Sequence, residues 1–445
     1  NTVVGDEAGT AISTGDQNTC LGFEAGKAIS TGNNNVAIGF QALLTEDANG
    51  DNVAIGYQSL KTLNAGADAF NTAVGYFSGT SLNTGTQNTI IGAEAGTSLT
   101  TGTRNELIGY QAGDALVGGQ QNVAIGRVAL SGDTEGQRSV AIGTGALQVQ
   151  NFGSATQSYN TAVGHSAGQS VSTGIKNTII GGLAGDNLTD ADNNIVMGYQ
   201  ALTTDTKGNR TVAIGFEALK TQNFTSSTDS HNTAIGNRAG ALLTTGTSNT
   251  LLGSIAGDSV TEGLNNVLLG YEAGGNITTG DGNVCIGYQA GVGQFSTTDN
   301  QLFIARSNTG AGNAATWIQG NASGACIQGN NASAWTQTSD ERIKKDIVDS
   351  PIGLAKIDAI QVRNFNYKTE EEITAEGITG CDAVGLQTGV IAQELEVVLP
   401  NAVTETETGL KRVSTDPIFW AMLKSIQELS AKNDALEARI KTLEG

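Results

Sequence analysis

Proline is missing from the first 350 residues; all three (Pro351, Pro400, Pro417) come later. Proline cannot donate a backbone hydrogen bond, so its absence permits a long uninterrupted β-ladder. Positive charge is also scarce. The 445 residues carry 23 Lys+Arg against 43 Asp+Glu, a net charge of −20. The deficit holds in both parts, with 11 cations against 24 anions in 1–338 and 12 against 19 in 339–445. Nucleic acid and anionic membrane surfaces attract basic patches, so neither is expected as the main partner. No apolar run approaches the ~20 residues of a membrane span, and no insertion is expected. Neither a signal peptide nor an initiator Met is visible, which predicts a fragment or processed product. The four cysteines (Cys20, Cys285, Cys326, Cys381) lie far apart with no metal-ligand spacing. Cys20 and Cys285 share one phase of the repeat described next and read as small apolar residues. No metal or cofactor is expected, and His165 and His231 fall at different phases of that repeat.

What is abundant is glycine, 61 residues of it, and it is periodic. The opening phrase "NTVVGDEAGTAISTGDQ" returns as "NTCLGFEAGKAISTGNN". Anchoring on the glycine after the apolar triplet gives 17 copies, from Gly5 to Gly287, spaced by 17 residues except for one spacing of 19 and two of 21. So short a period held this long predicts a solenoid. At sheet spacing, 17 coils make a shaft of roughly 80 Å. The triplet predicts a short strand with β-branched residues on one face. Its middle residue is apolar in every copy too, so both faces should be buried. One face can fill the coil; the other needs a second surface, most simply other copies of the chain around a common axis.

Three places after each glycine stands Ala, or Ser at Ser59 and Ser78, implying a closely approached backbone. Four places before it stands Asn in all but two copies, which have Ser139 and Thr211. Stacked Asn amides at a turn can bond to one another along a solenoid. "NVAIGYQ" at 52–58 resembles the head repeats of trimeric autotransporter adhesins, although the 17-residue period differs from theirs. Residues 1–299 look still more like the Gly-rich shafts of phage tail fibres. That resemblance implies an all-β, homotrimeric β-solenoid.

Three coils are longer. Each closes a pair with Leu in place of a second glycine (Leu43/Leu60, Leu130/Leu147, Leu202/Leu219). Their insertions should project loops at 64–70, 148–159 and 220–231. These hold Phe70, Phe152, Tyr159 and Phe224, which are receptor-contact candidates if exposed. The alternative is that they tuck back onto the shaft. After 299 the repeat fails: "NQLFIARSN" keeps an Asn at Asn300 but sets Ile304 where glycine belongs. Residues 300–338 read as a neck carrying two of the three Trp (Trp317, Trp335).

From Ser339 the character changes. Residues 339–415 hold charge clusters and strand-like pieces, and 416–445 form a helix. There Phe419, Met422, Ile426, Leu429, Asn433, Leu436, Ile440 and Leu443 alternate by three and four, which predicts the seam of a coiled coil. By themselves Ile at a, Leu at d and Asn433 at an a position lean towards a dimer, and the alternative is an amphipathic helix packed on its own domain. "SDERIKKDI", then "FNYK", then "GVIAQELEVVLPNAV", ahead of that helix, resembles the endosialidase-type intramolecular chaperone domain of phage tail fibres and tailspikes. The resemblance implies a small α+β domain ending in a trimeric coiled coil. It implies that the domain assists folding of the β-structure before it and then cuts itself off at Thr338–Ser339. Ser339 would be the nucleophile and Lys344 the base, with Asp340 and Arg342 at further motif positions for orientation or inter-chain pairing. Lys can deprotonate Ser if its pKa is depressed until it is neutral. Five residues turn about 140° on a helix, and an odd offset points away on a strand. So either a turn lies between Ser339 and Lys344, or Lys344 serves a neighbouring subunit's Ser339. Taken without the resemblance, Ser339 could merely cap a helix whose first turn holds Asp340 and Glu341.

The expected protein is a host-attachment tail fibre of a virion, assembled in the host cytoplasm. Its partners would be itself, a host glycan or outer-membrane receptor, and other tail proteins through a part preceding Asn1. Its one enzymatic act would be a single self-cleavage. One rival is a bacterial trimeric adhesin, which predicts a C-terminal membrane anchor. Another is a glycan depolymerase, which needs paired carboxylates in a groove, whereas the shaft's acids are scattered.

Overall fold

The structure, a computed structural model, describes residues 1–66, 68–293, 296–305, 316–322, 326–328, 345–368, 372–373, 385–405 and 409–445. The chain divides into two units, Asn1–Thr336 and Gln337–Gly445.

The first unit is a β-solenoid of about 18 turns. Each apolar triplet is a three-residue strand paired in parallel with the same triplet of the next coil, as in Thr89↔Glu106, Ile90↔Leu107 and Ile91↔Ile108. The middle residue of each strand from Cys20 to Cys285 is fully buried. The anchoring glycine then turns the chain at φ between +120° and +146°. A Cβ on Gly109 would stand 2.5 Å from the carbonyl oxygen of Gly126 in the coil above, which explains why glycine recurs there. Gly109→Ala should therefore cost about 3 kcal/mol or more through a strained φ and a backbone clash, read as a lowered thermal midpoint.

Four rows fill the interior. They are the strand's middle residue, the Ala three after the glycine, an aliphatic residue seven after it (Ile29, Leu82, Leu99), and the Asn four before it. The Asn row is a continuous polar spine. Asn105 Nδ2 donates to the carbonyl of Gly119 at 2.9 Å, and its backbone N–H donates to Asn88 Oδ1 at 3.0 Å. The same pattern recurs along the row, as at Asn88 and Asn122, so these buried amides are satisfied by neighbouring coils, as the low-dielectric interior demands. Cys20 and Cys285 occupy the strand's middle row, and burial pushes the Cys285 thiol up to about 12.

In the first coil of each Leu pair, volume is exchanged between two interior positions. In ordinary coils the side chain seven after the glycine lies over the second glycine: Leu116 Cδ1 would be 2.9 Å from a Cβ on Gly113. Where Leu43, Leu130 and Leu202 replace that second glycine, they take the space themselves, and the residue seven after becomes a carboxylate: Glu46, Asp133, Asp205. All three carboxylates are fully buried, and each ties down the following insertion. Asp133 Oδ1 accepts from the backbone N–H groups of Gly136 and Phe152, and its Oδ2 accepts from Gln150 Nε2 at 2.7 Å. Asp205 does the same with Gly208, Phe224 and Gln222. Burial pushes the Asp133 carboxyl above the usual carboxylate range, against these hydrogen bonds, which pull it down.

The ladder runs past the last of the 17 glycines. Leu302, Phe303 and Ile304 pair in parallel with Val284, Cys285 and Ile286. Their phase is one residue later than the Asn at 300 suggests. Gln301, not Asn300, donates its backbone N–H to Asn283 Oδ1, and Ala305 rather than Ile304 follows the triplet in the glycine's place. Thr316–Gly320 then pairs antiparallel with Leu302–Ala305, and Cys326–Gln328 antiparallel with Thr316–Gly320.

In the second unit, α1 (Leu354–Ile357), α2 (Ala392–Val398) and α3 (Thr415–Glu444) accompany two short antiparallel pairs, Arg363–Phe365 with Gln387–Gly389 and Val403–Glu405 with Lys411–Val413. Its buried core is Leu395, Leu399, Ala402 and Ala421, with half-buried aliphatics such as Ile357, Val390 and Ile418 around it.

Candidate functional site

Two kinds of apolar surface run along the shaft and are left half-buried to exposed among the described residues. The residue before each glycine faces outward, and this aliphatic row is half-buried to exposed, as at Leu21 (46% exposed) and Leu252 (47%). The sequence expectation that both strand faces are buried therefore holds within one chain only for the inner face. Beside this row lies a column that the sequence reading missed, the residue just after the glycine. Phe23, Phe40, Tyr57 and Tyr76 stack at centroid separations of 5.0 to 5.4 Å, and Tyr271 stacks on Tyr288 at 5.3 Å. All six are exposed. The signal was present in the sequence as an aromatic at one fixed phase of many coils.

The insertions project less than expected. Thr156–Gln157 pairs in parallel with Gly136–Gln137, and Thr228–Asp229 with Gly208–Asn209, so the second and third insertions extend the solenoid wall. Their exposed tips shrink to residues 153–155 and 225–227. Phe152 and Phe224 turn inward and are only 6% exposed, because their backbone N–H groups are fixed by Asp133 and Asp205. Both are removed from the candidate contact surface. Phe70 and Tyr159 stay on it, 55% and 47% exposed. Arg138 lies over the Tyr159 ring with its Cζ 5.5 Å from the centroid.

In the second unit, Thr338, Ser339, Asp340, Arg342 and Lys344 lie outside the described residues, which resume at Lys345. Downstream, Arg363 forms a two-pronged pair with Glu394, Nε to Oε2 at 3.1 Å and Nη2 to Oε1 at 3.0 Å, joining a strand to α2. The guanidinium holds the Glu394 carboxyl below its usual range. Glu428 of α3 accepts the backbone N–H of Leu354 at the start of α1. Helix α3 buries only Ala421 and Ser425. Every apolar residue of its three-four seam is exposed, from Met422 (49%) to Leu443 (85%). No described helix is long and apolar enough to cross a membrane.

Residues 339–404 match the family model described as the chaperone of endosialidase, and the match begins at Ser339. No solved structure matches the chain. A β-solenoid shaft with this chaperone domain at its C-terminal side is the organisation of a tail fibre or tailspike-type protein.

Proposed function

We propose, from the premise that residues 339–404 are a chaperone of endosialidase domain behind a β-solenoid shaft, that the chain is a host-attachment fibre assembling as a homotrimer. The observation that carries the reading is the pairing of that match with a seam of exposed apolar side chains on α3 and an outward aliphatic row along the shaft. Burying such rows against copies of themselves is the simplest way to remove them from water. The three α3 helices form a coiled coil, align the chains, and the shaft zips from that end.

The domain then removes itself. Neutral Lys344 takes the Ser339 Oγ proton, and Oγ adds to the carbonyl carbon of Thr338. The Thr338–Ser339 C–N bond breaks with the proton returned to nitrogen, and water hydrolyses the resulting ester. Lys344 comes either from the same chain across a turn or from a neighbour, in which case cleavage waits for assembly. Light scattering should give three times the chain mass for the purified full chain. A stable monomer at micromolar concentration would remove the basis for the trimer.

A further inference from the structure

We propose that one edge of the shaft, the residue five before each anchoring glycine, is a track for a linear acidic polysaccharide. From the fifth coil to the fourteenth this position reads Phe70, Gln87, Arg104, Gln121, Arg138, Tyr159, Lys176, Asn193, Arg210, His231, and every member is exposed. Each sits two residues ahead of a strand in the parallel ladder, so the side chains share one edge by register.

The backbone presents them rigidly. Arg104, Arg138, Lys176 and Arg210 have φ between +55° and +61°, and each donates its N–H to the preceding coil at 2.7 to 3.1 Å. The four cations recur every second coil, about 10 Å apart at sheet spacing. They are four of only 11 in residues 1–338, on a chain of net charge −20. Arg104, Arg138 and Lys176 make no ion pair among the described residues, whereas Arg210 pairs with Asp229 at 2.7 Å. Glutamines between them hold the guanidinium groups by Nε, Arg104 to Gln87 at 2.9 Å and Arg138 to Gln121 at 3.0 Å. Arg104 Nη1 and Nη2 make no hydrogen bond among the described residues, whereas Arg138 Nη1 donates to Gln157 Oε1 at 2.8 Å and to the Tyr159 hydroxyl. A guanidinium edge with free Nη groups can receive a carboxylate or phosphate.

A periodic row fits a periodic polymer. One cation per two coils matches an anionic group on alternate sugars, and the exposed Phe70 ring suits the apolar face of a sugar ring, while Tyr159 backs Arg138. DNA carries a charge every ~1.7 Å, far denser than this row, and the acidic remainder of the chain repels it.

This inference rests on the host-attachment reading, and the two can fail separately. The probe is hyaluronate, with one carboxylate per disaccharide, against neutral dextran and double-stranded DNA, titrated into the full-length assembly. The variant is Arg104→Gln/Arg138→Gln/Lys176→Gln; Gln already occupies this position at Gln87 and Gln121 with the same φ, so the fold should be retained. Hyaluronate should bind at low salt, weaken as salt rises, and lose about tenfold in affinity in the variant, while dextran does not bind. Equal binding by the variant, no hyaluronate binding at low salt, or tighter binding of DNA overturns the track. Adsorption of labelled fibre to bacterial cells reads attachment independently. A fibre that binds hyaluronate through the row but no cells contradicts attachment alone, and cells bound equally by wild type and variant contradict the track.

Discussion

Removing residues 339–445 is expected to leave a shaft that is insoluble or assembled out of register. The reason lies in the ladder. Strand pairs such as Val36↔Val53, Ala37↔Ala54 and Val123↔Val140, Ala124↔Ala141 are nearly interchangeable from coil to coil. A slip of one chain against another by one coil therefore preserves almost every contact and carries little energetic penalty. Only the three long coils break the degeneracy, and they lie far apart along the sequence. A domain that trimerises at one end supplies what the repeat lacks, a single alignment fixed before the shaft zips. Soluble trimers of native length from the truncated chain would count decisively against the chaperone role.

Ser339→Ala should give a folded trimer that never separates its last 107 residues. The hydroxyl is needed for attack and not for folding. Lys344→Ala should do the same, since the base is lost, and Lys344→Arg should fail as well because a guanidinium does not give up its proton near neutral pH. In each case cleavage should fall to background, read by gel electrophoresis after denaturation. On the proposed reading, cleavage would remove the clamp after it has acted, and the mature shaft would be held by slow unfolding rather than ready refolding. Wild-type fibre should survive heat or detergent that the uncut variant survives only by refolding.

The repeat was legible because a solenoid writes its architecture into one-residue rules. Glycine stands where a Cβ would meet a backbone carbonyl, Ala where coils touch, and Asn where a buried turn needs both a donor and an acceptor. What escaped the sequence reading was compensation between positions. Leu43, Leu130 and Leu202 were visible as departures, but their consequence, an aliphatic site becoming Glu46, Asp133 or Asp205, shows only when the two phases are compared for volume. The inward turn of Phe152 and Phe224 follows from those carboxylates, and so was missed with them. The phase error after 299 has a similar origin: Gln301 replaced Asn in the spine while a neighbouring Asn300 stood one place early. The chaperone segment was legible from its motif rather than from periodicity, since most of its positions obey no repeat. The Ser339–Lys344 geometry lies outside the described residues, and their pairing rests on the motif and on chemistry.

The account's central claim is that the C-terminal domain cuts itself away at Ser339 once it has aligned the chains. The most direct measurement is an intact-mass spectrum of purified, denatured wild-type chain beside Ser339→Ala. The account predicts a wild-type fragment of 107 residues beginning at Ser339 and a single full-length species for the variant. A wild-type chain that stays whole after trimerising, or efficient release of that fragment from Ser339→Ala protein, would contradict it.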